Sequence, residues 1–390
     1  MPRHIDYGID VYLARLSSRR RGQRVGLVAN QTSLTSSLEY SHVQLARRGG
    51  LHMLFSPQHG FFGVEQANMI ESPDEVDPLT GVRIVSLYSS TRTIDPGHLR
   101  ELDALLFDLQ DVGSRYYTYL WTLYYCMEAC ERTGTKLVVF DRPNPINGVD
   151  VEGSSIEPGF TSFVGLFPVP HRYGLTIGEF AVMLKELKFP DVKLEVVKMR
   201  GWKRNTYFDE YTNQWLPASP NIPAVSSAVV YPGMCLFEGT NLSEGRGTTR
   251  PFEVCGAPFI DPKKLCDHLA ALKLPGILFR PTFFKPTFDK FAGQVCGGVF
   301  LHVTKRTTFK PVRTAMSILA AVKELYPQQF AWYGGAYEYE QTKPAIDILF
   351  GSDALRTTID EGKPLKDIVT SCKAEERKFA RRTHAWRLYR

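Results

Sequence analysis

Residues 104–145 read ALLFDLQDVGSRYYTYLWTLYYCMEACERTGTKLVVFDRPNP, and this stretch decides the fold. Short apolar runs at residues 104–109 and 136–140 begin and end it, and each is followed directly by polar residues. The segment between them, residues 117–133, has the amphipathic pattern of a helix. Apolar strands that alternate with helices are typical of a parallel sheet covered on both faces.

The same alternation extends outward through the first half of the chain. Further strands are predicted at residues 24–29, 51–55, 83–87 and 193–197, and further helices at residues 38–47, 96–102 and 176–187. We therefore predict an α/β protein with a Rossmann-like, doubly wound and mainly parallel sheet.

The pattern changes after PASPNIPAVSSAVVYP, residues 217–232, a segment rich in proline, serine and alanine. Beyond it we predict helices at residues 262–272, 311–326 and 365–382, and strands at residues 276–279 and 297–303. We place a domain boundary near residue 229. Residues 1–228 then form the Rossmann-like N-terminal domain, and residues 229–390 form a smaller α+β C-terminal domain.

Composition excludes several classes of partner. With 47 Lys plus Arg against 41 Asp plus Glu, the net charge is +6, and no long basic block or zinc-finger spacing accompanies it, so we expect no nucleic acid. No apolar run is long enough to cross a membrane, so we expect no membrane partner. Seven scattered cysteines and no visible signal peptide favour the cytoplasm, with a trimmed exported precursor as the alternative. The oligomeric state is left open.

Polar loops follow four of the predicted strands. In chain order they hold Asn30, then Gln58 and His59, then residues 108–116, and then residues 141–145. Because ligands bind beyond the carboxyl ends of strands in open α/β sheets, we predict that these loops converge on one cleft. Each residue alone has a structural alternative: Asp108 and Asp141 as helix caps or turn residues, and His59 as a packed loop histidine.

A second polar run, EGTNLSEGRGTT at residues 238–249, lies in the other half of the chain. Its glycines allow close backbone approach, and its apolar flanks suggest that it packs against a core. A buried Glu244 would then need a partner, for which Arg246 is the candidate. The alternative is a solvated glycine-rich turn.

Standard cofactor signatures are absent from the sequence. There is no G-x-G-x-x-G after the first strand, no G-x-x-x-x-G-K-[ST], no H-E-x-x-H and no G-x-S-x-G. The nine histidines show no metal-ligand spacing. We predict neither a cofactor nor a metal.

A series of motifs resembles, in the same order, the exo-β-N-acetylmuramidase family (NamZ type, glycoside hydrolase family 171, formerly a domain of unknown function). The motifs are SPQHGFFG, DPLTGVRIVSLY, LLFDLQDVGSRYYTY, VVFDRPNPING, FVGLFPVPHRYGLTIGE, ASPNIP, LFEGTNLSEGRGTTRPFE and GAPFIDP. The resemblance implies a Rossmann-like domain, a smaller C-terminal domain and an active site in the cleft between them. It also implies removal of β-linked N-acetylmuramic acid from the non-reducing end of peptidoglycan fragments.

One position departs from the family pattern. The family motif reads S-P-E-H-G, with its Glu as the favoured catalytic acid, whereas this chain has Gln58. A glutamine cannot donate a proton to a glycosidic oxygen, and glycoside hydrolysis normally needs two carboxyl groups. Glu65 or Glu71 could have taken the role, Glu244 and Asp111 could form the working pair, or the protein could bind sugar without cleaving it.

Substrate contacts also follow from the resemblance. The lactyl carboxylate of muramic acid suits a guanidinium fork, and among Arg115, Arg142 and Arg246 we favour Arg142 or Arg246. Asn144, Asn221, Asn241 and Tyr116 suit the N-acetyl group and the hydroxyls, while His59 and His171 could hold a carboxylate in its working ionisation state. Gln58, which could orient the sugar, together with Asn30 and Asp141 completes the predicted substrate-binding set.

We therefore expect a metal-independent glycosidase that uses carboxylate acid–base chemistry. Because of Gln58, the first alternative is a catalytically silent or substrate-shifted sugar-binding homologue. The second is an esterase or amidase on the same fold, with Ser243 or Ser114 near His171.

Overall fold

The computed structural model describes residues 5–16, 22–66, 69–89 and 91–390. The strands of this part of the chain are β1 Val25–Ala29, β2 Leu51–Ser56, β3 Glu75–Val76, β4 Arg83–Ser86, β5 Ala104–Asp108, β6 Lys136–Phe140, β7 Leu194–Val197, β8 Val254–Ala257, β9 Ile277–Phe284 and β10 Cys296–Val303. Its α-helices are α1 Gly8–Arg15, α2 Ser41–Arg47, α3 Pro96–Arg100, α4 Tyr119–Thr133, α5 Ile177–Leu187, α6 Val225–Met234, α7 Pro262–Ala271, α8 Pro311–Leu325, α9 Ala345–Phe350, α10 Ala354–Asp360 and α11 Lys366–Thr383.

The larger sheet has seven strands in the order β3-β4-β2-β1-β5-β6-β7. All neighbouring pairs are parallel except β3–β4, which is antiparallel at the edge of the sheet. The chain order reverses between β1 and β5, which is the switch point where an open α/β sheet forms its ligand crevice. This confirms the predicted α/β fold with a mainly parallel sheet.

Both faces of this sheet are covered, as a parallel sheet requires. Successive residues of β1 supply opposite faces: Leu27 belongs to one apolar cluster and Val28 to the other, and neither is exposed to solvent. Leu106 and Phe107 of β5 divide in the same way. Helices on the two faces complete these clusters, with α1 contacting β6 and β7 on one side and α4 and α5 contacting β6 on the other.

Local sequence explains where several helices begin and end. Helix α5 starts at a capping box, in which the Thr176 hydroxyl accepts from the Glu179 amide and the Glu179 carboxylate accepts from the Thr176 amide. Helix α4 ends at Gly134, which adopts a φ of 72°, a conformation that glycine adopts without steric cost.

The C-terminal half forms a second, antiparallel sheet in the order β8-β10-β9. Helix α7 packs against β9 and β10, and α8 packs against α6 and α7. The larger apolar cluster runs from β5 and α4 through α6 to α8 and α9, so it joins the two halves of the chain. The N-terminal and C-terminal halves of the chain therefore share one continuous apolar core.

Every strand and helix predicted from the sequence is present, with boundaries shifted by a few residues at most except at β9 and α2. Strand β9 runs five residues beyond its predicted end at 279, and α2 begins three residues after its predicted start at 38. The prediction omitted α1, β3, β8, α9 and α10, and it assigned no element to the segment of α6. Position 229 lies inside α6, which packs on α8, and the domain division at that residue remains a prediction.

No helix in the described ranges is both long and apolar enough to cross a membrane.

Candidate active site

Two adjoining hollows lie where the loops of the two halves meet. The inner cavity, of about 30 Å³, has the polar lining residues Gln58, His59, Tyr116, Tyr117, Thr118, Ser219, Tyr231, Glu238, Arg246, Tyr337 and Glu338. The outer cleft, of about 550 Å³, is lined by Met69, Glu238, Thr240, Asn241, Glu244, Arg246, Phe288, Asp289, Lys290, Phe291, Tyr333 and Tyr337. Glu238, Arg246 and Tyr337 belong to both linings and form the wall between them.

The two volumes suit different occupants. A cavity of about 30 Å³ holds a water molecule or two, whereas small-molecule sites typically measure ~300–1,000 Å³. The outer cleft alone, at about 550 Å³, is large enough for a sugar. A sugar that reaches the inner cavity must therefore displace part of its wall.

Gln58 lies at the centre of a hydrogen-bond network in the inner cavity. Its amide nitrogen donates to the Tyr88 hydroxyl and to Glu338 Oε1, both at 3.1 Å. Its amide oxygen accepts from the Thr118 hydroxyl at 2.6 Å. The Tyr88 hydroxyl also donates to Glu338 Oε2 at 2.8 Å, so both oxygens of this carboxyl group are bonded. Burial raises the pKa of Glu338 to about 7, against the opposing effect of these two hydrogen bonds.

His59 is held in a conformation that few non-glycine residues adopt. Its φ is 73°, and such backbone strain concentrates at functional sites. Its Nδ1 lies 2.8 Å from the Glu65 carbonyl oxygen, which can only accept, so Nδ1 carries the proton and Nε2 of the neutral ring is an acceptor. Burial lowers the pKa of His59 to about 4, which keeps the ring neutral at pH 7.

The wall between the two hollows carries alternating charges. Arg246 Nη2 lies 2.8 Å from Glu238 Oε1, and Arg246 Nε lies 3.1 Å from Glu244 Oε1. Lys290 Nζ donates to Glu244 Oε2 at 3.0 Å, and the Tyr337 hydroxyl donates to Glu238 Oε2 at 2.5 Å. The sequence prediction that Glu244 is buried beside Arg246 is therefore confirmed.

The two carboxylates of this wall differ in ionisation. Burial raises the pKa of Glu238, but Arg246 and the hydrogen bonds from Arg246 and Tyr337 outweigh it and hold the pKa below its usual value. Burial also raises the pKa of Glu244, and there Lys290 and Arg246 offset only part of the effect. Of the two, Glu238 is therefore the more firmly ionised, and it is the one that lines the inner cavity.

A second set of predicted residues lies buried beneath the strand ends. Arg142 donates to Asp108 through Nε at 2.6 Å and Nη2 at 3.0 Å. Asp141 accepts from the Gly178 amide and the Thr176 hydroxyl, both at 2.8 Å, at the start of α5. Burial raises the pKa of Asp141 to about 7. None of these side chains lines the inner cavity or the outer cleft.

Asp111, Arg115 and His171 are also buried, and none of them belongs to either lining. Asp111 accepts from the Tyr173 hydroxyl and from the Gly113 amide, and burial raises its pKa to about 6. The Arg115 guanidinium donates to four backbone carbonyls, those of Ser154, Val169, Leu349 and Phe350. Its Nη2 lies 3.1 Å from His171 Nε2.

The predicted amide and hydroxyl ligands divide between the hollows and the interior. Tyr116 lines the inner cavity, although its hydroxyl donates to the Pro232 carbonyl. Asn241 lines the outer cleft. Asn30, Asn144 and Asn221 lie in neither lining, and their amide nitrogens donate to the Tyr119 hydroxyl and to the Leu175 and Gln66 carbonyls.

Glu65 and Glu71, the predicted local replacements for the family glutamate, lie in neither lining. Glu71 is exposed, and Glu65 is half-buried with its carbonyl oxygen bonded to His59. The structure adds Glu238, Glu338, Tyr88, Tyr337 and Lys290 to the predicted site. Of these, Glu238 and Tyr88 lie in motifs quoted from the sequence, where no role was assigned to them. The only signal for Glu338 was its place in the motif YEYE, in a stretch without apolar periodicity.

In the described ranges no group of three or more His, Cys, Asp or Glu residues is arranged to hold a metal ion. Ser114 and Ser243 were predicted as alternative nucleophiles, but among the described residues neither hydroxyl forms a hydrogen bond with a histidine. The Ser243 hydroxyl accepts a hydrogen bond from the Gly245 amide.

Comparisons with known proteins match nearly the whole chain. Family models described as exo-beta-N-acetylmuramidase NamZ, N-terminal and C-terminal, match residues 25–226 and 229–389. The peptidoglycan beta-N-acetylmuramidase NamZ of Bacillus subtilis (strain 168) is 40% identical over 387 residues, which are 99% of this chain and 91% of that protein.

Two solved structures of DUF1343 family proteins from Bacteroides fragilis NCTC 9343 share the fold. One superposes with a TM-score of 0.89 at 32% identity, and the other with a TM-score of 0.75 at 26% identity. Each match covers 99% of both chains.

Proposed function

The chain belongs to the exo-β-N-acetylmuramidase NamZ family, and we propose that it is a glycosidase that removes β-linked N-acetylmuramic acid from the non-reducing end of peptidoglycan fragments. The observation that carries this proposal is the pair of buried glutamates, Glu238 and Glu338, in the lining of one cavity beside a cleft of sugar size. Hydrolysis of a glycosidic bond normally needs two such carboxyl groups, one as acid and one as base or nucleophile.

The outer cleft suits an anionic amino sugar. Lys290 and Arg246 place two cationic side chains in its lining, where they pair with Glu244 and Glu238. The lactyl carboxylate, which distinguishes muramic acid from glucosamine, is proposed to share these two cations. Asn241 also lines the cleft, where its amide nitrogen donates to the Gln329 carbonyl and its amide oxygen accepts from the Ala331 amide. Phe288, Phe291 and Tyr333 supply apolar surface for the ring. Arg142 remains a predicted ligand, but its guanidinium is already paired with Asp108.

We propose that the reaction proceeds without a metal, because carboxyl groups can supply both the proton and the compensating charge. The remaining predicted catalytic residues divide by position. His59 and Glu244 are proposed to assist from the linings, His59 as a neutral acceptor and Glu244 through Arg246. A catalytic role for Asp111 also remains a proposal, although its side chain lines neither hollow.

The experiment is release of 4-nitrophenol from its β-N-acetylmuraminide, with the β-N-acetylglucosaminide as the matched control. We expect turnover of the muramic substrate only, unchanged after treatment with EDTA. Cleavage of both glycosides alike would remove the proposed role of the lactyl carboxylate. Loss of activity with EDTA, restored by a divalent metal, would overturn the metal-independent chemistry.

Gln58 favours one alternative function, that of a sugar-binding protein without turnover. Titration calorimetry with N-acetylmuramic acid and with the disaccharide N-acetylmuramyl-β-1,4-N-acetylglucosamine separates the two proposals. Binding of the disaccharide without release of its two sugars would establish the binding protein, whereas recovery of both free sugars would establish the glycosidase.

A further inference from the structure

Residues 332–343, here called the strap, bring a carboxyl group from the C-terminal half onto the position where the family has its catalytic glutamate. Glu338 is the strap residue that contacts Gln58, at 3.1 Å between Glu338 Oε1 and the Gln58 amide nitrogen. Only 4% of Glu338 is exposed, and its side chain lines the inner cavity. The carboxyl that Gln58 lacks is therefore present next to it, on another part of the chain.

We propose that Glu338 is the proton donor to the leaving oxygen of the glycoside, with Gln58 and Tyr88 as its positioning residues. This proposal rests on the glycosidase function proposed above. Neither the Gln58 amide nor the Tyr88 phenol is acidic enough to replace it, since an amide does not ionise and an ordinary phenol titrates near pH ~10. Both can orient a carboxyl group, and each bonds to Glu338.

The surroundings of Glu338 favour a protonated carboxyl at neutral pH. The titratable and charged groups that face it are Tyr88 and Arg92 from the N-terminal half and Glu238 from the wall. Arg92 lies over the ring of Tyr339 rather than in an ion pair with Glu338. Burial raises the pKa of Glu338 to about 7, whereas the pKa of Glu238 is held low by Arg246. Two carboxyls with separated pKa values are the arrangement of an acid and its partner carboxylate.

The chemical step balances with these two groups and one water. Glu338 gives its proton to the glycosidic oxygen while the bond from that oxygen to C1 breaks, and the bonding electron pair stays on the oxygen of the departing alcohol. A water oxygen bonds to C1 in its place. The proton that water sheds passes to Glu238 in a direct displacement, or back to Glu338 if Glu238 first bonds to C1.

The strap closes one side of the inner cavity through Tyr337 and Glu338. Its attachments to its surroundings include the hydrogen bond from Tyr337 to Glu238, the contacts of Glu338, and Arg92 over Tyr339. Gly334 and Gly335 precede them, and Glu338 and Tyr339 adopt φ values of 44° and 69°, typical of a tight turn.

The test compares Glu338→Gln with the natural protein on two muramic glycosides that differ only in the leaving group. The 4-nitrophenyl glycoside leaves without help from an acid, and the disaccharide with N-acetylglucosamine needs protonation. We expect kcat/KM for the disaccharide to fall about 10³-fold and that for the 4-nitrophenyl glycoside to fall about tenfold or less. Glu340→Gln, on the same turn and outside both linings, is the control and should leave both rates unchanged.

A second readout is the pH profile for the disaccharide. The limb above pH about 7, where Glu338 loses its proton, should be present in the natural protein and absent from the residual activity of Glu338→Gln. Equal losses on both glycosides, or none, in a variant with native circular dichroism would overturn the proposal. If the natural protein cleaves neither glycoside, the glycosidase function itself has failed, so the two failures are distinguishable. Glu338→Asp, which keeps the carboxyl group, covers the case in which the glutamine variant does not fold.

Discussion

The buried charges beneath the strand ends and those around the inner cavity are built from the same residue types and behave differently. In the first region Arg142 and Asp108 form a two-bond ion pair with the Arg142 side chain 3% exposed and that of Asp108 fully buried. In the second region Arg246 pairs with Glu238, while Glu338 is matched by an amide and a phenol. The Arg142–Asp108 pair satisfies both of its charges, and Asp141, whose pKa is also raised by burial, lies in neither lining. Glu338 instead lines the inner cavity, where its proton is available to a ligand.

This difference shows why a polar strand-end motif is an incomplete guide to an active site. A buried ion pair with all its hydrogen bonds made is a structural unit, and breaking it costs free energy of unfolding. A buried carboxyl group that lacks a paired cation has a raised pKa, and if it borders a cavity it can exchange its proton with a ligand. The distinction depends on what each group faces.

The largest expected effect is on the cavity side. Glu238→Gln removes the ionised carboxylate and should lower kcat/KM for muramic glycosides by about 10³-fold or more, measured in steady state. The matched control is Glu253→Gln, a buried glutamate bonded to the Ser226 and Ser227 hydroxyls outside both linings. It should retain activity. Full activity in Glu238→Gln would remove the proposed catalytic pair.

The converse effect is expected beneath the strand ends. Asp108→Asn leaves the Arg142 guanidinium buried without its carboxylate and should reduce the free energy of unfolding by about 3–5 kcal/mol. Urea denaturation measures this change, and kcat of the folded fraction should stay near the natural value. A variant with native stability and lost turnover would place this pair in the chemistry and break the comparison.

A smaller effect is expected in the outer cleft. Lys290→Gln removes a cation from the proposed lactyl site and should raise KM for the muramic substrate about tenfold, with kcat little changed. The exposed Lys285→Gln serves as the control for loss of charge. A fall in kcat without a change in KM would assign Lys290 to the support of Glu244 instead.

The smallest effect concerns the pairing of Gln58 with Glu338. Gln58→Glu places a second carboxyl about 3 Å from the first, where both cannot ionise together, so the pKa of Glu338 should rise further. The basic limb of the pH profile should then move to higher pH by about one unit. An unmoved limb would show that Glu338 does not control it.

Much of the fold and part of the site could be predicted from the sequence. The segments of β1, β5 and β6 consist mostly of apolar residues, so their burial could be predicted from the sequence. A strand that is buried along its whole length, as β1 is, is typical of a parallel sheet covered on both faces. The pairing of Glu244 with Arg246 was accessible because the two residues are neighbours in the chain. Helix α6 was missed because its segment is rich in proline and serine, yet tertiary packing on α8 buries it.

By itself, the sequence determined the parallel sheet, the polar strand-end loops, the family and the glutamine at the position of the family acid. Tertiary structure alone decided that Glu338 meets Gln58, which lies 280 residues away in the chain. It also decided that Arg142 turns to Asp108 and Arg246 to the cavity wall. The reason is physical: periodicity records which face of an element is buried, whereas the pKa and reach of a carboxyl group depend on neighbours that only the packed chain brings together.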